Sequence, residues 1–240
     1  MRELASGRGA ARALALLAGL LGTPALLAHQ PEPLSGLDFV PPPPGSYTLQ
    51  RIMPAPDGRV LGIDGHSQPL SRYTRGQVTL LGFIYTTCVD PDGCPRAYRV
   101  FDLLKGAIAA MPALHGKVQF VTLSFDPARD TAAVMRHYAG SRAIDTSGGL
   151  RWYFLTTRSA RELMPLIEGF GQDVRVTFDR TSGRARRELS HVLKVFLIDR
   201  SGDVREIYSS LFLHPQTVLN DIETLLMEEG FQPSRTRVTK

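Results

Sequence analysis

The sequence predicts an α/β layer sandwich, and three observations carry that expectation. Two nearly continuous apolar runs, Val78–Tyr85 and Val118–Phe125, have the composition of central strands covered on both faces. Each is followed by a segment with helical character, opened by Cys94-Pro95 in one case and by Asp130 in the other. A third strong strand, Val192–Ile198, is followed by a turn at Arg200–Asp203 and then by Val204–Tyr208, which is a hairpin signal. Strands that alternate with helices and close on a hairpin belong to a sheet with helices packed on its faces.

The elements follow in order. Tyr47–Met53 and Arg59–Ile63, separated by the turn residues Pro54–Gly58, read as a pair of strands. After Val78–Tyr85, Pro95 suits the first turn of a helix because its missing N–H has no partner to lose. Tyr98, Phe101, Leu104 and Ile108 continue that helix. Asp130 is the expected N-cap of a helix over Thr131–Tyr138. Trp152–Leu155 is a short strand, and Ser159 caps a helix over Ala160–Glu168. Val174–Phe178 is a strand leading into an arginine-rich turn at Arg180–Arg187, and Pro215–Met227 is the last helix. There is no internal repeat. This order matches a thioredoxin-like fold: a three-layer sandwich with a central mixed sheet and an added N-terminal hairpin.

The chain has 240 residues, enough for one domain with a good core. Hydrophobic residues make up 43% and charged residues 21%, an ordinary globular mixture. The isoelectric point of about 9.5 invites a nucleic-acid partner, so the position of the charge matters. Arg2, Arg8 and Arg12 against Glu3 at one end, with Arg235, Arg237 and Lys240 at the other, hold the whole net charge of +5. The body between them is neutral. A nucleic-acid footprint would be a basic face on the folded domain, so nucleic acid is excluded as the expected partner.

Residues 1–28 read as a signal peptide or N-terminal anchor: three arginines precede the apolar run Ala13–Leu21, with Pro24 and small residues up to Ala28. The expected location is therefore the periplasm, with a tether to the inner membrane if the segment is retained. Residues 29–46 form a Pro-rich linker, with Pro31, Pro33 and Pro41–Pro44 favouring extended backbone. Residues 47–229 are the globular domain, and 230–240 a basic tail.

The only cysteines are Cys88 and Cys94. A pair in an oxidising compartment is usually a disulfide. A bridge closing so small a loop constrains the unfolded chain little, and a domain with this much core does not need it. Cys94 falls between a buried strand and a helix start, where unpaired N–H groups and the positive end of the macrodipole favour a thiolate. The segment Val89-Asp90-Pro91-Asp92-Gly93 is turn-rich and expected to be mobile, while its two carboxylates disfavour a further anion. Two thiolates suit Cu(I), and an imidazole extends such a site to Cu(II). Among the histidines, His191 stands at the mouth of the strand Val192–Ile198 and is the best candidate. His66, His115, His137 and His214 fall in expected loops or on helix surfaces.

Residues 76–208 resemble the SCO/SenC family of copper chaperones for cytochrome oxidase assembly. The resemblance rests on GFIYTTC (Gly82–Cys88) with Cys94-Pro95, on VTLSFDPARDT (Val121–Thr131), on the Trp152–Gly169 strand and helix, and on SHVLKVFLID (Ser190–Asp199). It implies that Cys88, Cys94 and His191 are copper ligands, with Asp126 in the place of the family's acidic residue near the site. It also implies that the two cysteines form a redox-active pair and that the partner is a copper-receiving protein such as cytochrome oxidase subunit II. The family places three residues between its cysteines; here there are five, and Val89 replaces the proline after the first.

Three functions are consistent with these residues: a copper metallochaperone, a thiol–disulfide oxidoreductase that keeps a recipient's cysteines reduced, and a structural domain with an inert disulfide. Typical thioredoxin-like reductases place two residues between their cysteines and a proline before the late strand. The longer loop and His191 in that place favour metal over dithiol exchange.

Overall fold

The computed structural model describes residues 39–143, 149–179 and 186–231. The signal or anchor segment, most of the linker, the start of the arginine-rich turn and all but the beginning of the basic tail lie outside the described residues. Along the chain come β1 (Met53–Pro54), β2 (Arg59–Gly62), β3 (Ser67–Pro69), β4 (Val78–Ile84), α1 (Cys94–Ala109), β5 (Val118–Ser124) and α2 (Ala132–Ala139). They are followed by β6 (Arg151–Thr156), α3 (Ala160–Gly169), β7 (Val174–Asp179), β8 (Arg186–His191), β9 (Lys194–Ile198), β10 (Asp203–Ser209) and α4 (Pro215–Glu228).

Eight strands form one mixed sheet in the order β1-β10-β9-β4-β5-β6-β2-β3, and β7 pairs with β8 in a separate hairpin. The central strands β4, β5 and β6 are parallel, and β9 joins β4 antiparallel. Every residue of β4 and of β5 is buried, as their continuous apolar composition requires. One face of the sheet is covered by α1: Phe101 meets Phe120 and Trp152, and Tyr98 meets Trp152 and Phe154. On the other face Phe170, just beyond α3, packs with Phe83 and Phe196 at ring separations of 5.5 and 4.8 Å. Each such aromatic side chain contributes about 1.5–3 kcal/mol by leaving water. These are the three layers and the central mixed sheet that the sequence predicts.

The N-terminal hairpin is present, but its strands differ from those expected. Arg59–Gly62 pairs with Ser67–Pro69, not with the segment before Pro54. Met53–Pro54 instead crosses to the far edge and pairs with Val204 and Asp203. The described residues before it, 39–52, form no strand; Tyr47 Oη donates to Asp221 of α4 at 2.5 Å and Ile52 N–H donates to the Val204 carbonyl of β10 at 2.9 Å. The described end of the linker is fastened as well, since Asn220 Nδ2 donates to the Pro42 carbonyl and Gly45 N–H to Thr224 Oγ1. Residues 180–185 of the expected arginine-rich turn lie outside the described residues, and its last two, Arg186 and Arg187, are strand: β8 begins at Arg186 and runs to His191. Among the described residues no helix is long and apolar enough to cross a membrane.

Candidate functional site

The strand register decides which segments meet. In the parallel pair, Ile84 lies opposite Ser124, so β4 and β5 end side by side. In the antiparallel pair, Gly82 lies opposite Val195, so the residues just before β9 arrive at that same end. The β7–β8 hairpin delivers His191 there, opposite Val174. Three segments thus converge at the carboxyl ends of the parallel strands, where open α/β sheets place their ligands.

Cys94 is the first residue of α1, with Pro95 behind it, as the sequence predicts. Its side chain is buried; Cys88 is half-buried, and both are free thiols. After β4 the chain turns with Cys88 N–H donating to the Tyr85 carbonyl. The loop beyond, with Pro91 and Gly93, folds as a turn centred on Asp90. Asp90 Oδ1 accepts from Asp92 N–H at 3.1 Å, and the Asp90 carbonyl accepts from Gly93 N–H at 3.0 Å. Gly93 fits because a Cβ there would stand 3.2 Å from Asp90 Oδ2.

The two thiols are not equivalent. The Cys94 thiol, donating to the Cys88 sulfur, holds Cys88 down to about 5; backbone N–H groups of Cys94 and Asp90 and the Tyr85 hydroxyl add to this against the opposing effect of burial. Cys94 is pushed well up, because it bonds to Cys88, is buried, and faces the negative Cys88 sulfur. The helix N-terminus therefore does not make Cys94 the thiolate, as the sequence suggested. The pair shares one proton, and the more exposed sulfur carries the charge.

His191 is held by its neighbours in one orientation. Nδ1 lies 3.3 Å from the Leu189 carbonyl, which can only accept, so Nδ1 carries the proton and Nε2 presents its lone pair. Nε2 lies 3.9 Å from Cys94 Sγ. Phe125 and Tyr85 flank the ring at 4.7 and 5.7 Å and touch each other at 5.3 Å. The structure thus places Cys94 against both Cys88 and His191. Among the described residues, however, no group of three or more His, Cys, Asp or Glu side chains stands gathered to hold a metal ion.

Asp126 is buried beside Phe125, its N–H donating to Ser124 Oγ at 3.0 Å, in the wall of a hollow of about 350 Å³ shared with Pro127 and Arg158. Asp130 is not the N-cap expected of it. That place belongs to Thr131, whose hydroxyl accepts from Val134 N–H. Asp130 is turned inward, buried, and accepts three hydrogen bonds: from Thr86 N–H at 3.0 Å, Thr86 Oγ1 at 2.5 Å and Ser124 Oγ at 2.6 Å. It ties the start of the cysteine loop to the end of β5, and is a positioning residue that local pattern missed. Tyr85 and Phe125 were missed too; their only signal is that each directly follows a buried strand. Three of the other histidines have other occupations: His66 pairs with Asp64, His115 reaches the Ala109 carbonyl, and His214 caps α4 through Nδ1.

The fold has counterparts among solved structures. The chain is 21% identical to a SCO1/SenC family lipoprotein from Bacillus anthracis, at a TM-score of 0.57 over 72% of this chain and 95% of that one. It is 20% identical to Bradyrhizobium japonicum ScoI with copper bound, at 0.53 over 74% and 99%. It is 21% identical to BsSco, a member of the Sco family of cytochrome c oxidase assembly proteins in which a disulfide switch was identified, at 0.54 over 74% and 96%. At these identities the likeness establishes a shared fold. No curated protein sequence matches the chain. The SCO1/SenC family description matches residues 63–227, a stretch that runs from the β2–β3 hairpin into α4 and includes both cysteines, Asp126, Asp130 and His191. A match over that much of the chain makes it a member of the SCO1/SenC family.

Proposed function

We propose that this chain binds copper through Cys88, Cys94 and His191 and passes it to a respiratory oxidase of the CuA type, or to a related cuproenzyme. The observation that carries this reading is the contact of Cys94 with both Cys88 and the imidazole whose Nε2 lone pair is turned toward it. Two sulfurs suit Cu(I), and the imidazole extends the set to Cu(II). The Cys94 proton lies between two acceptors, Cys88 Sγ and His191 Nε2. A copper ion entering there displaces that proton, so loading releases it to solvent. A small shift of the cysteine loop then gathers the three ligands, with Asp126 as a further candidate. The relative from Bradyrhizobium japonicum holds copper, and BsSco belongs to a family of oxidase assembly proteins, which supports both halves of the proposal.

The recipient is a copper-accepting protein such as cytochrome oxidase subunit II, and the chain works in the periplasm after export through residues 1–28, with or without a tether to the inner membrane. The lipoprotein relative supports an exported setting. A transfer assay tests the function. The copper-loaded protein, mixed with an apo CuA domain and then separated from it, should have lost its copper to the acceptor, as read from the metal content of the two fractions. Retention of all copper on this chain in the presence of several acceptors would contradict it.

A second reading is favoured by one observation: a free, low-pKa thiol in contact with a second thiol can also exchange disulfides. As an oxidoreductase the pair would become the Cys88–Cys94 disulfide while reducing the recipient's cysteines.

A further inference from the structure

At the opposite end of the sheet from the thiols, three arginines gather around one hollow of about 480 Å³. It lies at the amino ends of the parallel strands: Arg151 is the first residue of β6, and Gln119 the second of β5. Arg72 and Arg75 reach it from the segment that precedes β4. The floor is polar and fixed, since buried Gln119 donates through Nε2 to the Tyr73 carbonyl at 2.8 Å and to Thr79 Oγ1 at 3.0 Å.

Two of these cations, Arg72 and Arg75, have no ion pair with the acids near the hollow among the described residues. Ion pairs among the described residues engage Arg51, Arg96, Arg142, Arg200 and Arg205, and leave Arg72 and Arg75 outside them. Asp64 is the one carboxylate in the lining, and it is occupied by His66, through the backbone N–H at 2.9 Å and Nδ1 at 3.1 Å. Asp57 feels the charge of Arg75, but its oxygens are taken by Ser71 and Gly58. Arg75 is also positioned: its stem lies over Gly202, where a Cβ would come within 3.1 Å of Cγ. Arg151 Nη1 lies 3.5 Å from Tyr153 Oη in the same wall. Guanidinium groups present planar forks of N–H donors that match phosphate oxygens, two bonds at a time.

We propose that this hollow binds a phosphate group. Its size admits more than a bare ion, so the phosphate is either that of a small soluble ester or the headgroup of an anionic phospholipid. In both cases the site is separate from the copper chemistry and leaves the thiol pole open to a partner.

Titration of the purified full chain with inorganic phosphate, followed through arginine side-chain NMR signals, tests the shared chemistry. Arg72→Ala with Arg151→Ala should weaken phosphate binding at least tenfold, while Arg129→Ala, at the thiol end, should leave it unchanged. The source is separated by co-sedimentation with phosphatidylglycerol and with phosphatidylcholine vesicles. Because the basic tail also attracts anionic vesicles, the loss on going from parent to double variant is the quantity read. A loss specific to phosphatidylglycerol assigns the headgroup; phosphate binding with no vesicle difference assigns a soluble ester. Absence of phosphate binding, or binding retained by the double variant, overturns the proposal. Arg75→Gln, titrated in the same way, carries the test if the double variant unfolds.

Discussion

Cys94 Sγ and His191 Nε2 stand 3.9 Å apart although 97 positions separate them in the chain. The contact forms at one end of the sheet because β9 runs antiparallel beside β4, which brings the segment leading into β9 to the end where the chain leaves β4 for α1. It gives Cys94 two neighbours able to accept its proton, and gives an incoming metal a soft and a borderline ligand together.

The inequality of the thiols predicts their reactivity. Alkylation of Cys88 by iodoacetamide follows its thiolate, which exists above the pKa of about 5 and is lost as pH falls through it. The rate should therefore stay high at pH 6, where an ordinary cysteine has become slow. Cys94→Ala removes the largest cause of the lowered value, so the midpoint of the rate–pH curve should move up. An unmoved midpoint would show that Cys94 does not set it.

Asp130 should matter to a site it does not touch. In Asp130→Asn an amide NH₂ replaces one acceptor oxygen and faces a buried donor. That costs about 1–3 kcal/mol of stability, measurable by denaturant unfolding. The readout that separates positioning from mere stability is the Cys88 rate–pH curve of the folded variant, which should shift because Thr86 no longer anchors the loop. Thr131→Ala, which removes only a helix cap, should cost about 1 kcal/mol and leave that curve in place.

For His191→Ala, two-thiolate Cu(I) binding should remain while the Cu(II) complex is lost or spectrally changed. The measurement is the sulfur-to-copper charge-transfer band in the visible absorption. An unchanged band would mean that another group completes the site, with Asp126, Asp90 or Asp92 next in line.

The pair should be a poor general reductase. A thiolate of such low pKa is a weak nucleophile toward an ordinary disulfide and a good leaving group from its own. Insulin reduction should be slow, and deletion of Asp92 and Gly93 should preserve copper binding. Turnover of insulin at a rate comparable to thioredoxin would promote the oxidoreductase reading.

Much of the frame was legible because it rests on local rules. The buried strands announce themselves by unbroken apolar composition, α1 by Cys94-Pro95, and α3 by Ser159, whose hydroxyl does accept from Glu162 N–H. What local pattern missed depends on distant partners. Asp130 and Thr131 are both good caps, and only the arrival of Thr86 and Ser124 decides that the aspartate turns inward. Met53–Pro54 is strand only because Val204 and Asp203 lie beside it. Arg186 and Arg187 read as turn by composition, and become strand by pairing with Asp179 and Phe178. In the site, both cysteines were visible, but which one is the thiolate follows from burial and from the proton between them.

The most direct test of the copper site is titration of the fully reduced protein with Cu(I) under anaerobic competition with a chromogenic chelator. One Cu(I) should bind per chain, with a proton released on loading. Cys88→Ser and Cys94→Ser should each weaken binding by several orders of magnitude. Full affinity retained in both single variants would contradict the assignment of Cys88 and Cys94 as the ligands that carry the metal.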